Sequence, residues 1–182
     1  MAALTLETAR VPTPIGILVI VAREETLVAA SFRDSADDLV RQLEQRFGPL
    51  AFEERPDPGG IVGHLKAYFG GDLAALEAIA TDPGGTPFQA RVWAELRAIP
   101  VGSTVSYSEL ARRVDAPDAV RAVGAANGRN PVPIVIPCHR VIGADGSLTG
   151  YGGGLDRKRW LLVHEGVKAP ALQSRLSFET RP

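Results

Sequence analysis

The apolar positions at the start of the chain fall into three short β-type runs, Leu4 to Ala9, Gly16 to Val21 and Thr26 to Phe32. They are separated by Pro12-Thr13-Pro14 and by Arg23-Glu24-Glu25, turn-forming and charged breaks that predict an antiparallel meander. From Ser35 the period lengthens. Leu39, Val40, Leu43 and Phe47 recur at helical spacing before Gly48-Pro49, so a helix is predicted over Ser35 to Phe47. A second is predicted over Gly60 to Phe69, with Ile61, Leu65 and Tyr68 or Phe69 inward and Gly70-Gly71 as its stop. His64 on that helix reads as a packing or surface histidine, because no second metal-type residue accompanies it.

Asp82-Pro83-Gly84-Gly85-Thr86-Pro87 is the strongest break in the chain and is taken as a domain boundary. Beyond it a helix is predicted over Phe88 to Ala98, with Phe88, Val92 or Trp93, and Leu96 facing inward. Ser106-Tyr107-Ser108-Glu109 has the capping-box pattern and opens a short helix through Val114. After the turn Asp115-Ala116-Pro117, a second helix is predicted from Asp118 to Asn127. Two short helices across a tight turn have the layout of a helix-turn-helix, although many such hairpins bind nothing. In the second helix Ala119, Ala122, Gly124, Ala125 and Ala126 surround one long cation, Arg121. That surface lets a backbone approach phosphates or a groove floor, with Arg121 as a wedge in a base stack. The alternative is a surface arginine paired with Asp118.

The apolar run Asn130 to Pro137, with three prolines, predicts a stiff, buried, extended connector, and Asn130 before Pro131 is suited to fix a turn. It ends in Cys138-His139-Arg140. A thiol attacks only as thiolate, and a free cysteine ionises near ~8.5, so a working cysteine needs a proton acceptor or a positive charge beside it. His139 and Arg140 supply both types, whereas an unpaired cysteine with no such role is a small buried hydrophobe. Gly143-Ala144-Asp145-Gly146 reads as a hairpin-type turn, and Gly150-Tyr151-Gly152-Gly153-Gly154 as a loop able to approach a flat ligand. It lacks the spacing and context of a dinucleotide fingerprint. A last helix, Asp156 to His164, is predicted to pack Leu155, Trp160 and Val163 and to place Glu165 at its end.

Composition narrows the class. The chain has 182 residues, 45% hydrophobic and 23% charged, as expected of a globular protein. One cysteine excludes an internal disulfide and a Cys-rich zinc site, and fits a reducing compartment. The stretch Ile15 to Ala22 is too short to cross a bilayer, and Glu7 precedes it where a signal peptide carries basic residues, so a cytoplasmic protein with no membrane partner is expected. Residues 1–85 carry 7 Lys and Arg against 13 Asp and Glu, while residues 86–166 carry 10 against 7. A polyanion contact therefore belongs to the second half.

With those residues in view, the chain closely resembles the O6-alkylguanine-DNA alkyltransferases. The matching residues are Ser106-Tyr107, Arg121-Ala122-Val123-Gly124, Asn130-Pro131, Pro137-Cys138-His139-Arg140-Val141, Gly150-Tyr151, Leu161-Leu162 and His164-Glu165-Gly166. They span Phe88 to Gly166, and the N-terminal part resembles the family in layout only.

The resemblance implies an α/β two-domain protein. A small N-terminal antiparallel sheet with helices, ribonuclease-H-like, would occupy residues 1–83. A mainly helical, winged-helix-like domain with a helix-turn-helix would occupy 84–167, followed by a loosely ordered tail over 168–182. It implies duplex DNA containing O6-alkylguanine as partner, a flipped base with Arg121 filling the gap, and one irreversible transfer of the alkyl group to Cys138. His139 would take the thiol proton through a water with Glu165 orienting it, Tyr107 would donate to the leaving base, and Asn130 would hold the catalytic turn. Arg121, Tyr107, Ser106, Ser108 and Gly124 would contact DNA, and Tyr151, Gly152, Gly153 and Val141 would wall the base pocket.

No cofactor and no metal are implied, O4-alkylthymine is a second candidate substrate, and a monomer is expected, with cooperation on DNA left open. Asn127-Gly128-Arg129 stands where the family varies, which leaves open which of the three meets phosphate. Ser108 is shorter than the glutamine of some relatives. Two other readings remain: a damage-binding protein of the alkyltransferase-like type, which lacks the cysteine, and a Cys-His hydrolase, which would turn over.

Overall fold

A computed structural model of the chain describes residues 3–32, 37–169 and 172. Its contacts divide it between Gly84 and Gly85 into two compact units.

In the first unit β1 (Leu4–Thr13), β2 (Gly16–Arg23) and β3 (Thr26–Ser31) form the predicted antiparallel meander. The sheet is mixed, however, and not antiparallel throughout. β4 (Leu50–Glu54) lies parallel to β1 and the two-residue β5 (Ala80–Thr81) parallel to β3, in the order β4-β1-β2-β3-β5. The register puts Ala9, Val11, Leu18 and Ile20 on one face, all buried. Leu6, Val21 and Ala29 cluster with Val28 and with Leu43 of α1 (Asp37–Phe47), while Leu39 and Phe47 close the edge of that cluster. Burial on both faces accounts for the nearly unbroken apolar run of β3. Ser35, where α1 was expected to begin, lies outside the described residues. Helix α2 (Ile61–Phe69) packs against β1 and buries Ile61, Val62, Leu65 and Tyr68.

The second unit starts with α3 (Pro87–Arg97), capped by a full box in which Thr86 accepts from the Gln89 amide and Gln89 reaches back to Thr86. Its Trp93 indole N–H donates to the Ala126 carbonyl at 2.9 Å, fixing α3 to α5 (Val120–Gly128). Between them lie β6 (Val105–Ser106) and α4 (Tyr107–Arg113). The box expected at Ser106 is half formed. Ser106 Oγ accepts from the Glu109 amide, but the Glu109 carboxylate turns outward to Arg112 and Arg113, whose charges outcompete a backbone amide.

The run from Asn130 to Pro137 is buried as expected but is not extended. The Ile136 amide donates to the Val132 carbonyl at 3.0 Å and Ile134 takes a left-handed φ of 75°, so the segment folds back on itself. Asn130 enforces that turn: its amide donates to Ile136 O at 2.7 Å while its Oδ1 accepts from Val132 N at 2.9 Å. A 3-10 turn, Cys138–Arg140, follows, then β7 (Val141–Ile142), which pairs in parallel with β6. The turn closing at Gly146 is present, with Gly143 N bonded to Ser147 O at 2.8 Å, but no strand returns from it.

The last helix, α6 (Leu155–His164), faces the other way from the expectation. Leu155 and Val163 are 43% and 44% exposed, Trp160 stacks on His164, and the buried stripe is Lys158, Leu161 and Leu162. Two charged groups sit on the inward face at i and i+7, Lys158 and Glu165, which made that face look like the solvent side. The tail expected over 168–182 lies outside the described residues except for 168, 169 and 172.

Candidate active site

Cys138 begins a 3-10 turn immediately after the Asn130-pinned loop, so its position is set by the same hydrogen bonds that fold that loop. It is 6% exposed. Burial pushes its thiol up, while hydrogen bonds from Asn130 and from the turn's backbone, together with the nearby Lys158 charge, pull it down. The balance keeps the resting sulfur protonated, so a proton acceptor is needed at the moment of reaction.

That acceptor lies next along the chain. His139 is fully buried, and burial keeps its imidazole neutral against the opposing pull of Glu165. Its Nε2 lies 2.9 Å from Glu165 Oε1. Burial alone would raise Glu165, but His139 and Arg140 outweigh that and hold its carboxyl well below the usual carboxylate range. A carboxylate only accepts, so Nε2 carries the ring proton and Nδ1 is left with a lone pair. Among the described residues Nδ1 is buried with no hydrogen-bond partner. This is the arrangement of an oriented general base.

Arg140 does not face the thiol. Its Nε and one terminal nitrogen donate to both Glu165 oxygens at 2.8 and 2.9 Å, and the other donates to Ile99 O at 2.6 Å. It anchors the carboxylate by a bidentate pair, and the positive charge expected of it beside Cys138 comes instead from Lys158. Lys158 Nζ donates to the carbonyls of Val141, Thr149 and Gly150 at 2.6, 2.9 and 3.3 Å, clipping the loop 143–150 to β7. Burial lowers its ammonium to about 8. Sequence reasoning missed Lys158; the available signal was the i, i+3, i+4, i+7 stripe Lys158, Leu161, Leu162, Glu165.

Two tyrosines stand near enough to Cys138 that a thiolate there would oppose their ionisation. Tyr107 opens α4 and lays its ring on α5, where a Cβ at Gly124 would stand 3.7 Å from it, and its hydroxyl donates to Thr149 O at 3.1 Å. Burial raises its ionisation. The Tyr151 hydroxyl is buried without a partner among the described residues, and burial raises it well above its ordinary value. Its ring covers Gly153 so closely that a Cβ there would come within 2.8 Å, so a larger residue would displace it.

The remaining predicted residues are distributed differently. Arg121 and Ser108 are exposed on α5 and α4, and Ser106 is committed to its cap. Gly152 is exposed with open space around it. Val141 is fully buried and supplies a carbonyl to Lys158, so its side chain supports the site from beneath and presents no surface to a ligand. Asn127 is 5% exposed, which removes it from the candidates for phosphate contact.

A family model described as "6-O-methylguanine DNA methyltransferase, DNA binding domain" matches residues 87–167. The methylated-DNA-protein-cysteine methyltransferase of Shigella flexneri is 44% identical over 160 residues, covering 86% of this chain and 94% of the relative. The crystal structure of Mycobacterium tuberculosis O6-methylguanine methyltransferase superposes with a TM-score of 0.73 at 41% identity, over 92% of this chain and 95% of that one. The structure of Mycobacterium tuberculosis OGT in complex with DNA does so at 0.73 and 40%, over 89% and 92%.

Proposed function

This chain belongs to the methylated-DNA-protein-cysteine methyltransferase family and repairs DNA by alkyl transfer to its own cysteine, and from that premise we propose that Cys138 is the acceptor and O6-alkylguanine the lesion. The observation that carries the proposal is the buried Cys138 in contact with Asn130 and preceding the His139-Glu165-Arg140 network. No other residue can be the acceptor, since the chain has one cysteine.

Arg121, exposed on α5 among small residues, enters the base stack from the minor groove as the lesion leaves it. With the base between Tyr107 and Tyr151, the Cys138 proton passes to His139 Nδ1 through an intervening water, and the imidazolium is stabilised by Glu165. Sγ then attacks the alkyl carbon: the S–C bond forms, the C–O6 bond breaks, and its electron pair goes to the guanine. Tyr107 donates to that base as charge develops. The His139 imidazolium then gives its proton back through solvent to make good the one that Tyr107 supplied, so the thiol's proton ends on the guanine and the reaction balances without a diffusible cofactor. It ends at one equivalent because the thioether regenerates nothing.

The finer architecture follows the same reading. Three antiparallel strands with β4 parallel to β1 support a ribonuclease-H-like first domain over 1–83, and α4 and α5 with the β6-β7 pair support a winged-helix-like second over 84–167. None of the described helices is long and apolar enough to cross a membrane; a cytoplasmic monomer acting on duplex DNA is what the family reading implies. Intact-mass analysis after incubation with an oligonucleotide carrying O6-methylguanine tests the proposal. The expected result is one methyl group per chain, mapped to Cys138 and absent from Cys138→Ala. Turnover beyond one equivalent would establish a hydrolase in its place, and binding without a mass change a damage-recognition protein.

A further inference from the structure

Asn127 ends α5 on the same face as Gly124, one turn along. The Tyr107 ring lies against Gly124, and its hydroxyl reaches on to the Asn127 side chain, with which it is hydrogen-bonded. A phenol oxygen has one proton and two lone pairs. Here the proton goes to Thr149 O, so the contact with Asn127 is one in which the amide N–H donates to Oη. Asn127 Oδ1 is buried and has no partner among the described residues. Thr149 O also accepts from Lys158 Nζ at 2.9 Å. The result is a chain from Asn127 through Tyr107 and Thr149 to Lys158, linking α5, α4, the 143–150 loop and α6 across the sulfur.

We propose that Asn127 is a positioning residue for Tyr107: by donating to Oη it turns the phenolic proton away from α5 and polarises the O–H toward whatever accepts it. In the resting protein the acceptor is Thr149 O. In reaction it is the departing base, which takes over the proton as Tyr107 releases the loop carbonyl to Lys158. A donor whose oxygen itself accepts a hydrogen bond is a stronger donor. The inference rests on the role of Tyr107 given above, but the bond it invokes is measurable without any activity.

The test joins a spectroscopic and a kinetic reading on the full chain. With 13C-labelled tyrosine, Asn127→Met should move the Tyr107 ζ-carbon resonance and leave those of Tyr68 and Tyr151 in place, and Asn127→Asp, similar in shape but without the donor, should move it too. An unmoved Tyr107 signal in both overturns the inference whatever the activity. Single-turnover methyl transfer should slow by about tenfold in Asn127→Met, and by less than about twofold when the same change is made in Tyr107→Phe, because residues acting as one unit are not additive. Equal losses in the two backgrounds overturn it, since a merely structural role would give them. If Tyr107→Phe transfers at the wild-type rate while the resonance still moves, the donor role of Tyr107 falls, and with it any part of Asn127 in the reaction. Should the Asn127 variants fail to fold, Tyr107→Phe reports the bond from the other side: the Asn127 side-chain amide protons must shift, and unshifted protons overturn the proposal.

Discussion

The two units of this protein solve different problems. Among the described residues of the first, the buried side chains are apolar apart from the Tyr68 hydroxyl: Leu6, Ile15, Leu18, Ile20, Leu27 and Leu65 are all at most 1% exposed. The buried polar and charged residues, Asn127, His139, Arg140, Lys158 and Glu165, all belong to the second. Desolvating a charge costs several kcal/mol unless partners replace the water. A region that carries four ionisable groups in its interior therefore spends stability on arrangement, and every one of those groups leads to Cys138 directly or through another. The lesson is that charge burial, more than cavity shape or exposed motif, marks where this molecule does its chemistry.

Removing the carboxylate gives the largest expected effect. Glu165→Gln strips Arg140 of its bidentate partner and His139 of its orienting acceptor while preserving shape. An uncompensated buried guanidinium should cost about 3–5 kcal/mol in urea unfolding, and methyl transfer should slow by at least about 100-fold in single-turnover assays. Wild-type stability should also fall on acidification. Glu165 and His139 both sit below their unfolded values, so the folded chain binds fewer protons; their contribution is complete above about pH 6.5 and is lost progressively as pH falls through the histidine and then the carboxylate range. Glu165→Gln should flatten the carboxylate part of that curve. If the variant is as stable and as fast as wild type, the contrast between the two units has no energetic content.

Lys158 sharpens the comparison, because its burial lowers it to about 8, within reach of experiment. Below that pH the ammonium holds Val141, Thr149 and Gly150 and faces the thiol; above it the charge is lost, so the transfer rate should fall as pH rises through 8, against the usual rise of a thiol reaction. Lys158→Met should run roughly tenfold slower at pH 7 and lack that falling limb. A rate–pH profile unchanged by the substitution would show that the loop and the sulfur do not depend on the ammonium.

Lys158 also explains what was and was not legible in the chain. Cys138-His139, the three meander strands and the α3, α4 and α5 helices were readable because local chemistry decides them: period, turn residues and caps. β4 and β5 were not, since Leu50–Glu54 exposes most of its side chains and two residues make no pattern; pairing with β1 and β3 creates both strands. The Asn130 to Pro137 run looked extended because prolines resist ladders, whereas two hydrogen bonds from one asparagine fold it back. The face of α6 was inverted because inward charges imitate a solvent side. The strands and the α6 face were missed because partners distant in sequence decide them, and the loop because one side chain overrides the local rule within six residues; the last two lie at the active site.

The smallest effect on chemistry should come from a cavity opened in the core of the other unit. Leu6→Ala removes a fully buried side chain from the cluster with Val21, Val28, Ala29 and Leu43, and large-to-small changes at such sites cost about 2–5 kcal/mol. Transfer at 25 °C, normalised to folded protein, should nevertheless keep its wild-type rate constant, because the groups that hold Cys138, His139 and Lys158 all belong to the second unit. Calorimetry with single-turnover kinetics on the same sample separates the two quantities. A rate constant that falls with the stability would mean that the apolar unit sets the geometry of the charged one, and the division of labour between them would have to be abandoned.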